Sequence, residues 1–116
     1  MTARNGKLIR DGVPQMIRAQ GLTPVLRVAE PDEHIALLLA KLREEAAEVE
    51  QAIEDYADSV DPAPVIGELA DVMEVLFAIA GCIGAGQAEV EEARIRKAAE
   101  RGGFAQRLVW SGNRPG

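Results

Sequence analysis

The sequence has few aromatic side chains, a single cysteine and a single histidine. Aromatic residues make up 3% of the 116 residues, whereas hydrophobic residues make up 47%, so aliphatic side chains must form the core. Alanine- and leucine-rich chains favour helices over a β-sandwich. Without a second cysteine no intrachain disulfide can form, and Cys82 is expected to be a small core residue. We exclude the lone His34 as a zinc ligand and expect it near the surface.

Long apolar runs and an excess of positive charge are also missing. The longest apolar stretch, residues 75–85, is too short to span a bilayer, and the N-terminus has no apolar signal-peptide core. The net charge is −6, from 13 basic and 19 acidic residues, which does not suit a surface that neutralises nucleic-acid phosphates. We therefore expect one domain, residues 1–116, that is cytoplasmic and has no nucleic-acid or membrane partner.

Hydrophobic periodicity predicts an all-α fold, a helical bundle built on long helices over residues 33–56, 63–83 and 87–101. A short helix with Pro14 in its first turn is expected to precede them and to end near Gly21. Asp32 is the expected N-cap of the first long helix. Residues 25–28 and 107–110 alternate in polarity and are predicted to pair as a short two-stranded ribbon.

Four glutamates lie close together in "LREEAAEVEQA", which begins at Leu42. A helix turns about 100° per residue, which places Glu45 roughly 60° and Glu48 roughly 120° to one side of Leu42, the centre of the apolar stripe. Glu44 lies roughly 160° away, and Glu50 lies roughly 80° away on the opposite flank. Glu45 and Glu48 therefore form a pair beside the core, whereas Glu44 and Glu50 are expected to face solvent.

A second acidic pair, Glu68 and Asp71, occurs in "VIGELADVMEVLFAIAGCI", which is apolar almost all round and is therefore expected to be largely buried. Buried carboxylates are costly unless they are paired or bound to a metal, and no lysine or arginine occurs between Arg43 and Arg94. A helical hairpin would bring the two pairs together. Four carboxylates repel one another, and Mg²⁺, with Mn²⁺ as a substitute, prefers such oxygen ligands. Ordinary solvation explains any single acid more simply, but two facing pairs favour a metal site.

Several stretches resemble one protein family. "EEAAE" and "ELAD", separated by 19 residues, match the EExxE…ExxD pattern of the all-α nucleotide pyrophosphohydrolase superfamily, which includes MazG-like enzymes and phosphoribosyl-ATP pyrophosphohydrolase. "KLIRDGVPQMI" is similar to the KLVRDKIP-type opening of a MazG-like subgroup described as predicted house-cleaning NTP pyrophosphatases, and "RKAAERGGF" is similar to that subgroup's basic end. Gly12 departs from the opening motif, which usually has a basic residue there. The resemblance covers nearly the whole chain.

The resemblance implies a fold of helices in bundles, assembly as a homodimer or homotetramer, and Mg²⁺-dependent hydrolysis of a nucleoside triphosphate to the monophosphate and pyrophosphate. It implies metal roles for the same four acids that helical geometry selects, which are Glu45, Glu48, Glu68 and Asp71. In the expected reaction the ion lowers the pKa of an attacking water. The catalytic candidates are Glu45 and Glu48, either of which could orient that water or accept its proton.

Five basic residues are candidates for binding the substrate phosphates and stabilising charge on the leaving pyrophosphate. They are Lys41, which flanks the acidic pair, Lys7 and Arg10 in the opening motif, and Lys97 and Arg101 on the third long helix. For each of them alone, a solvated surface position is the simpler explanation.

Three alternatives stay open. Phosphoribosyl-ATP pyrophosphohydrolase uses the same acidic framework, although it usually lacks the "KLIRDGVP" opening. A non-catalytic helical module could bind nucleotide without hydrolysis, and complete acidic pairs count against it. A purely structural bundle predicts neither nucleotide binding nor metal dependence. The sequence names neither the base nor the sugar of a substrate.

Overall fold

The computed structural model describes residues 6–116, which contain four helices and no strand. The helices are α1 (Val13–Ala19), α2 (Pro31–Ser59), α3 (Ala63–Cys82) and α4 (Gln87–Arg101). The fold is all-α, as the sequence predicts, and the predicted helix positions agree with these bounds to within a few residues.

The start of α2 differs from the prediction. Glu30 precedes the helix in an extended conformation and Pro31 is its first residue, since the fixed φ of proline suits a position whose N–H needs no partner. Asp32 is therefore inside the first turn, where its carboxylate accepts a hydrogen bond from the Glu33 backbone N–H at 3.0 Å. Arg27 donates two hydrogen bonds of 2.7 Å to the Glu33 carboxylate and so ties the preceding segment to α2.

The chain turns between α2 and α3 within residues 60–62, and the two helices pack side by side as a hairpin. The turn begins at Val60, whose φ of 50° is in the left-handed region. The buried aliphatic core of the hairpin is small and consists of Leu38, Ala52, Val75 and Ala80. α4 contacts α3 but not α2. The hairpin therefore places the acidic segments of α2 and α3 against each other.

The predicted ribbon is absent, and that prediction was wrong. Residues 25–28 and 107–110 are non-helical, but they form no strand pairing in the described chain. Val25, Val28 and Val109 are almost completely exposed, so neither segment has a surface against which an isolated two-stranded ribbon could gain stability. Arg107 adopts a positive φ of 60° at the start of the second segment, which also interrupts an extended conformation.

The chain is extended for its length. Its radius of gyration is 18.7 Å, whereas a compact domain of this length has a value of about 13 Å. Its accessible surface is 9804 Å², compared with about 6,100 Å² for a folded monomer of this mass. A single copy therefore leaves unburied much of the surface that a globular protein of this size would cover.

α3 shows this exposure most clearly. The sequence predicts a largely buried helix, but only Val75 and Ala80 are buried in the described chain. Cys82 is exposed as well, which corrects the prediction of a core residue. Its Sγ lies 3.7 Å from Nδ1 of the half-buried His34. Trp110 and Phe104 are also exposed and therefore fill no core within one chain.

Within residues 6–116, no single helix combines the length and the apolar composition needed to cross a membrane. Only α3 and α4 taken together meet that test, and the pair is bent by 111°.

Candidate metal centre

Three glutamates converge across the hairpin. Glu45 and Glu48 lie on one flank of α2 and Glu68 faces them from α3, and one carboxylate oxygen from each lies within 4.8 Å of the other two. Glu45 is buried, with 7% of its surface exposed, Glu68 is half-buried and Glu48 is exposed. The group is thus open to solvent on the Glu48 side and closed on the Glu45 side.

The electrostatics of this group are unfavourable without a cation. Glu45 and Glu68 each have one buried carboxylate oxygen, Oε2, that lacks a hydrogen-bond partner among the described residues. Burial, followed by the charges of Glu48 and Asp71, raises the pKa of Glu45. Burial, followed by the contact with the Glu48 carboxyl group, raises the pKa of Glu68. Three carboxylates at this spacing, two of them with a buried and unpartnered oxygen, fit a hard divalent cation.

Asp71 lies beside this group but outside the three-residue cluster. Its Oδ1 accepts a 2.7 Å hydrogen bond from Arg10 Nη2, in a pair whose side chains are both about half exposed. Asp71 also raises the pKa of Glu45 and of Glu68 through its charge, so it lies close to both. The structure therefore gathers all four predicted acids in one region, with one of them bound to a cation of the opening motif.

The position of Glu44 differs from the prediction that this residue faces solvent. Only 33% of its side chain is exposed, and its Oε1 lies 3.4 Å from Lys7 Nζ and 3.5 Å from Lys41 Nζ. The Lys41 ammonium group also lies 3.8 Å from Oε1 of Glu45. Glu44 thus holds two cations at the edge of the acidic cluster formed by Glu45, Glu48 and Glu68.

The five candidate cations fall into two groups. Lys41, Lys7 and Arg10 each form an ion pair with an acid of this region. Lys97 and Arg101 are exposed on α4 and form no ion pair within the described chain. Since α4 does not contact α2, a single copy does not bring Lys97 and Arg101 to the cluster.

Sequence reasoning missed the part that Glu44 plays. Its partner Lys7 is 37 residues away, and helical angles report only the direction in which a side chain leaves its own helix. The available signal was the pair of basic residues in "KLIR", which needed a defined position in the fold before acidic partners could be assigned.

No family model matches the chain, and no solved structure matches it. A curated protein of Mycolicibacterium smegmatis (strain ATCC 700084 / mc(2)155), described as uncharacterized, is 52% identical over 46 residues. The alignment covers 40% of this chain and 47% of that protein, which is less than half of each. The identity is high over this short alignment, but the description of that protein names no activity.

Proposed function

We propose that the protein is a Mg²⁺-dependent nucleoside triphosphate pyrophosphohydrolase of the MazG-like type, which converts NTP or dNTP and water to the monophosphate and pyrophosphate in nucleotide-pool house-cleaning. The observation that carries this proposal is the convergence of Glu45, Glu48 and Glu68 across the hairpin, in which Glu45 and Glu68 each have a buried oxygen without a partner. The motif resemblance described above supplies the reaction.

Glu45, Glu48, Glu68 and Asp71 would hold the cation. When bound, Mg²⁺ neutralises charge on phosphate oxygens and lowers the pKa of an attacking water. Glu48 is the most exposed of the three clustered glutamates, and a carboxylate at the solvent side of the cluster can orient a water or accept its proton. Burial gives Glu45 the more fixed position, which suits a ligand.

Lys41, Lys7 and Arg10 surround the acids on the side of Glu44 and Asp71. Without substrate they neutralise part of the acidic charge. Phosphate oxygens are alternative partners for the same cations, and arginine binds them in a bidentate geometry. These three side chains would therefore exchange a carboxylate for a phosphate when a nucleotide binds.

The direct test is hydrolysis of a panel of ribo- and deoxyribonucleoside triphosphates, including phosphoribosyl-ATP, with Mg²⁺ and with chelator. We expect pyrophosphate and monophosphate as products, and no turnover with chelator. Hydrolysis of phosphoribosyl-ATP alone would assign the alternative activity. Nucleotide binding by calorimetry without any turnover would indicate the non-catalytic module.

We also propose that the active form is a homodimer or homotetramer. Ile66, Leu69, Met73 and Leu76 follow one another at helical spacing on α3, and each is between 42% and 61% exposed. A continuous apolar stripe of this kind marks an interface. The chain exposes about 3,700 Å² more than a compact monomer, enough for the large apolar interfaces of obligate oligomers. In such an assembly, Lys97 and Arg101 of one copy would reach the acidic cluster of another copy.

A further inference from the structure

A cavity of about 720 Å³ lies beside the acidic cluster. It is an open cavity lined by residues 6–11, by the non-helical residues 24–29, and by one face each of α1 and α2. Small-molecule pockets have volumes of about 300–1,000 Å³, so the cavity has the size of a ligand site. The proposed metal ligands do not line it.

The cavity and the acidic cluster share two cations. Lys7 and Arg10 line the cavity, and the same side chains reach Glu44 at 3.4 Å and Asp71 at 2.7 Å. Along α2, Leu37 in the cavity wall precedes Lys41 by one turn and Glu45 by two turns, about 12 Å in all. Lys7 and Arg10 therefore stand between the lining of the cavity and the acids beside the cluster.

The lining of the cavity combines aliphatic side chains with a segment whose backbone N–H groups have no partner within the described chain. Leu8, Ile9, Ile17 and Leu37 contribute half-buried aliphatic side chains, and His34 contributes a ring. The backbone N–H groups of residues 25–29 donate no hydrogen bond within the described chain. Aliphatic walls can cover the faces of a flat ring, and free backbone donors and acceptors can bind its edge.

We propose that this cavity receives the base and sugar of the nucleotide, while the phosphates pass Lys7 and Arg10 to reach the acidic cluster. This inference rests on the proposed function and adds to it the location of nucleoside recognition. A segment of a second copy is the other candidate occupant, and a nucleotide is favoured because Lys7 and Arg10 line the cavity as cations that phosphate oxygens can bind.

The test fills the cavity at Ala29, a half-buried lining residue outside the proposed metal and phosphate sites. For Ala29→Trp we expect KM for the best nucleotide to rise at least about tenfold while kcat changes less than about twofold, because uniform substrate binding is lost. Ala29→Leu should show a smaller rise. Gln15→Trp places the same ring on an exposed position of α1 outside the cavity, and it should leave KM unchanged.

A second measurement does not depend on turnover. Calorimetry with Mg²⁺ compares the binding of a nucleoside 5′-monophosphate with that of inorganic pyrophosphate. Ala29→Trp should weaken binding of the monophosphate and leave that of pyrophosphate unchanged. If Ala29→Trp does not fold, by circular dichroism, the same comparison on Ala29→Leu decides.

The outcomes separate the two proposals. If the wild type hydrolyses nucleotides and both Ala29 variants keep its KM and its monophosphate affinity, the proposal of a nucleoside pocket is overturned. The proposal of a pyrophosphohydrolase activity is then retained. No hydrolysis, with monophosphate binding that Ala29→Trp abolishes, would retain the pocket and overturn the enzyme. If Ala29→Trp changes the oligomeric mass but not the nucleotide affinity, the cavity is assigned to a second copy. If the wild type does not bind the monophosphate, the proposed nucleoside pocket is wrong.

Discussion

Glu44 and Glu45 are neighbours in sequence with different surroundings. Glu45 is buried and has one oxygen without a partner and the other 3.8 Å from Lys41, whereas Glu44 is half-buried and lies within 3.5 Å of both Lys7 and Lys41. The first arrangement suits a metal ligand and the second suits a residue that positions cations. The difference between adjacent glutamates is therefore testable by the same conservative substitution at each position.

Glu45→Gln should reduce kcat/KM for nucleotide hydrolysis at least about 100-fold, because it removes a charged ligand from the centre of the cluster. Glu44→Gln should cost less than about tenfold, since an amide oxygen still accepts hydrogen bonds from the lysines. Steady-state kinetics with saturating Mg²⁺ measures both. Equal losses for the two variants would contradict the assignment of Glu45.

The raised pKa of Glu45 also predicts a pH-dependent stability. The pKa of Glu45 is higher in the folded chain than in the unfolded chain. Ionisation of Glu45 therefore lowers the free energy of unfolding as pH rises from the unfolded-state pKa through the folded-state pKa. Glu45→Gln should therefore be more stable than the wild type in chelator at about pH 7. The difference should vanish below about pH 4, where both states of the wild type are protonated.

Thermal unfolding midpoints measured across this pH range, at fixed protein concentration, check the prediction. Glu50→Gln is the control, because Glu50 is exposed and lies outside the acidic cluster. A stability difference for Glu45→Gln that stays constant with pH would show that charge at position 45 is not the cause.

At the scale of elements, the turn after α2 contains backbone strain. Val60 has a φ of 50° and is exposed, and a β-branched residue in the left-handed region costs roughly 1–2 kcal/mol relative to the right-handed one. Glycine adopts this conformation without that cost. The hairpin therefore tolerates an unfavourable residue at the point where it reverses direction.

Val60→Gly should raise the free energy of unfolding by about 1 kcal/mol, after allowance for the greater entropy of glycine in the unfolded chain. The thermal midpoint should rise by about 4 °C. Ala57→Gly, at an exposed position inside α2, should lower stability by about 1 kcal/mol. A midpoint for Val60→Gly that moves in the same direction as Ala57→Gly would exclude strain at Val60.

Periodicity predicted the helices because each long helix carries an apolar stripe and has clear breaks, such as the prolines near α3 and the glycines before α4. It also selected Glu45 and Glu48 by angle, and it set apart Glu68 and Asp71 as acids in an apolar run. It could not predict the contacts of Lys7 and Arg10, since these join residues 37 and 61 positions apart. The ribbon failed because alternation over four residues says nothing about whether a partner surface is present.

At the scale of the molecule, the exposed stripe on α3 predicts the mass in solution. Sedimentation equilibrium should give a dimer or tetramer for the wild type. Met73→Glu, in the middle of the stripe and 51% exposed, should shift the protein to monomer, because a charge would be buried without a partner.

Gln20→Glu adds the same charge at an exposed position outside the stripe, and it should leave the mass unchanged. A wild-type monomer, or a Met73→Glu variant that keeps the wild-type mass, would exclude the α3 stripe as the interface between copies.

The small buried core of the α2–α3 hairpin affects how the protein behaves when it is diluted. Four aliphatic residues cannot by themselves offset the conformational entropy of so long a chain. If copies associate through the α3 stripe, folding becomes a reaction of second or higher order, and the folded fraction depends on total protein. Specific activity should then fall as an assay is diluted, and the thermal midpoint should rise with protein concentration.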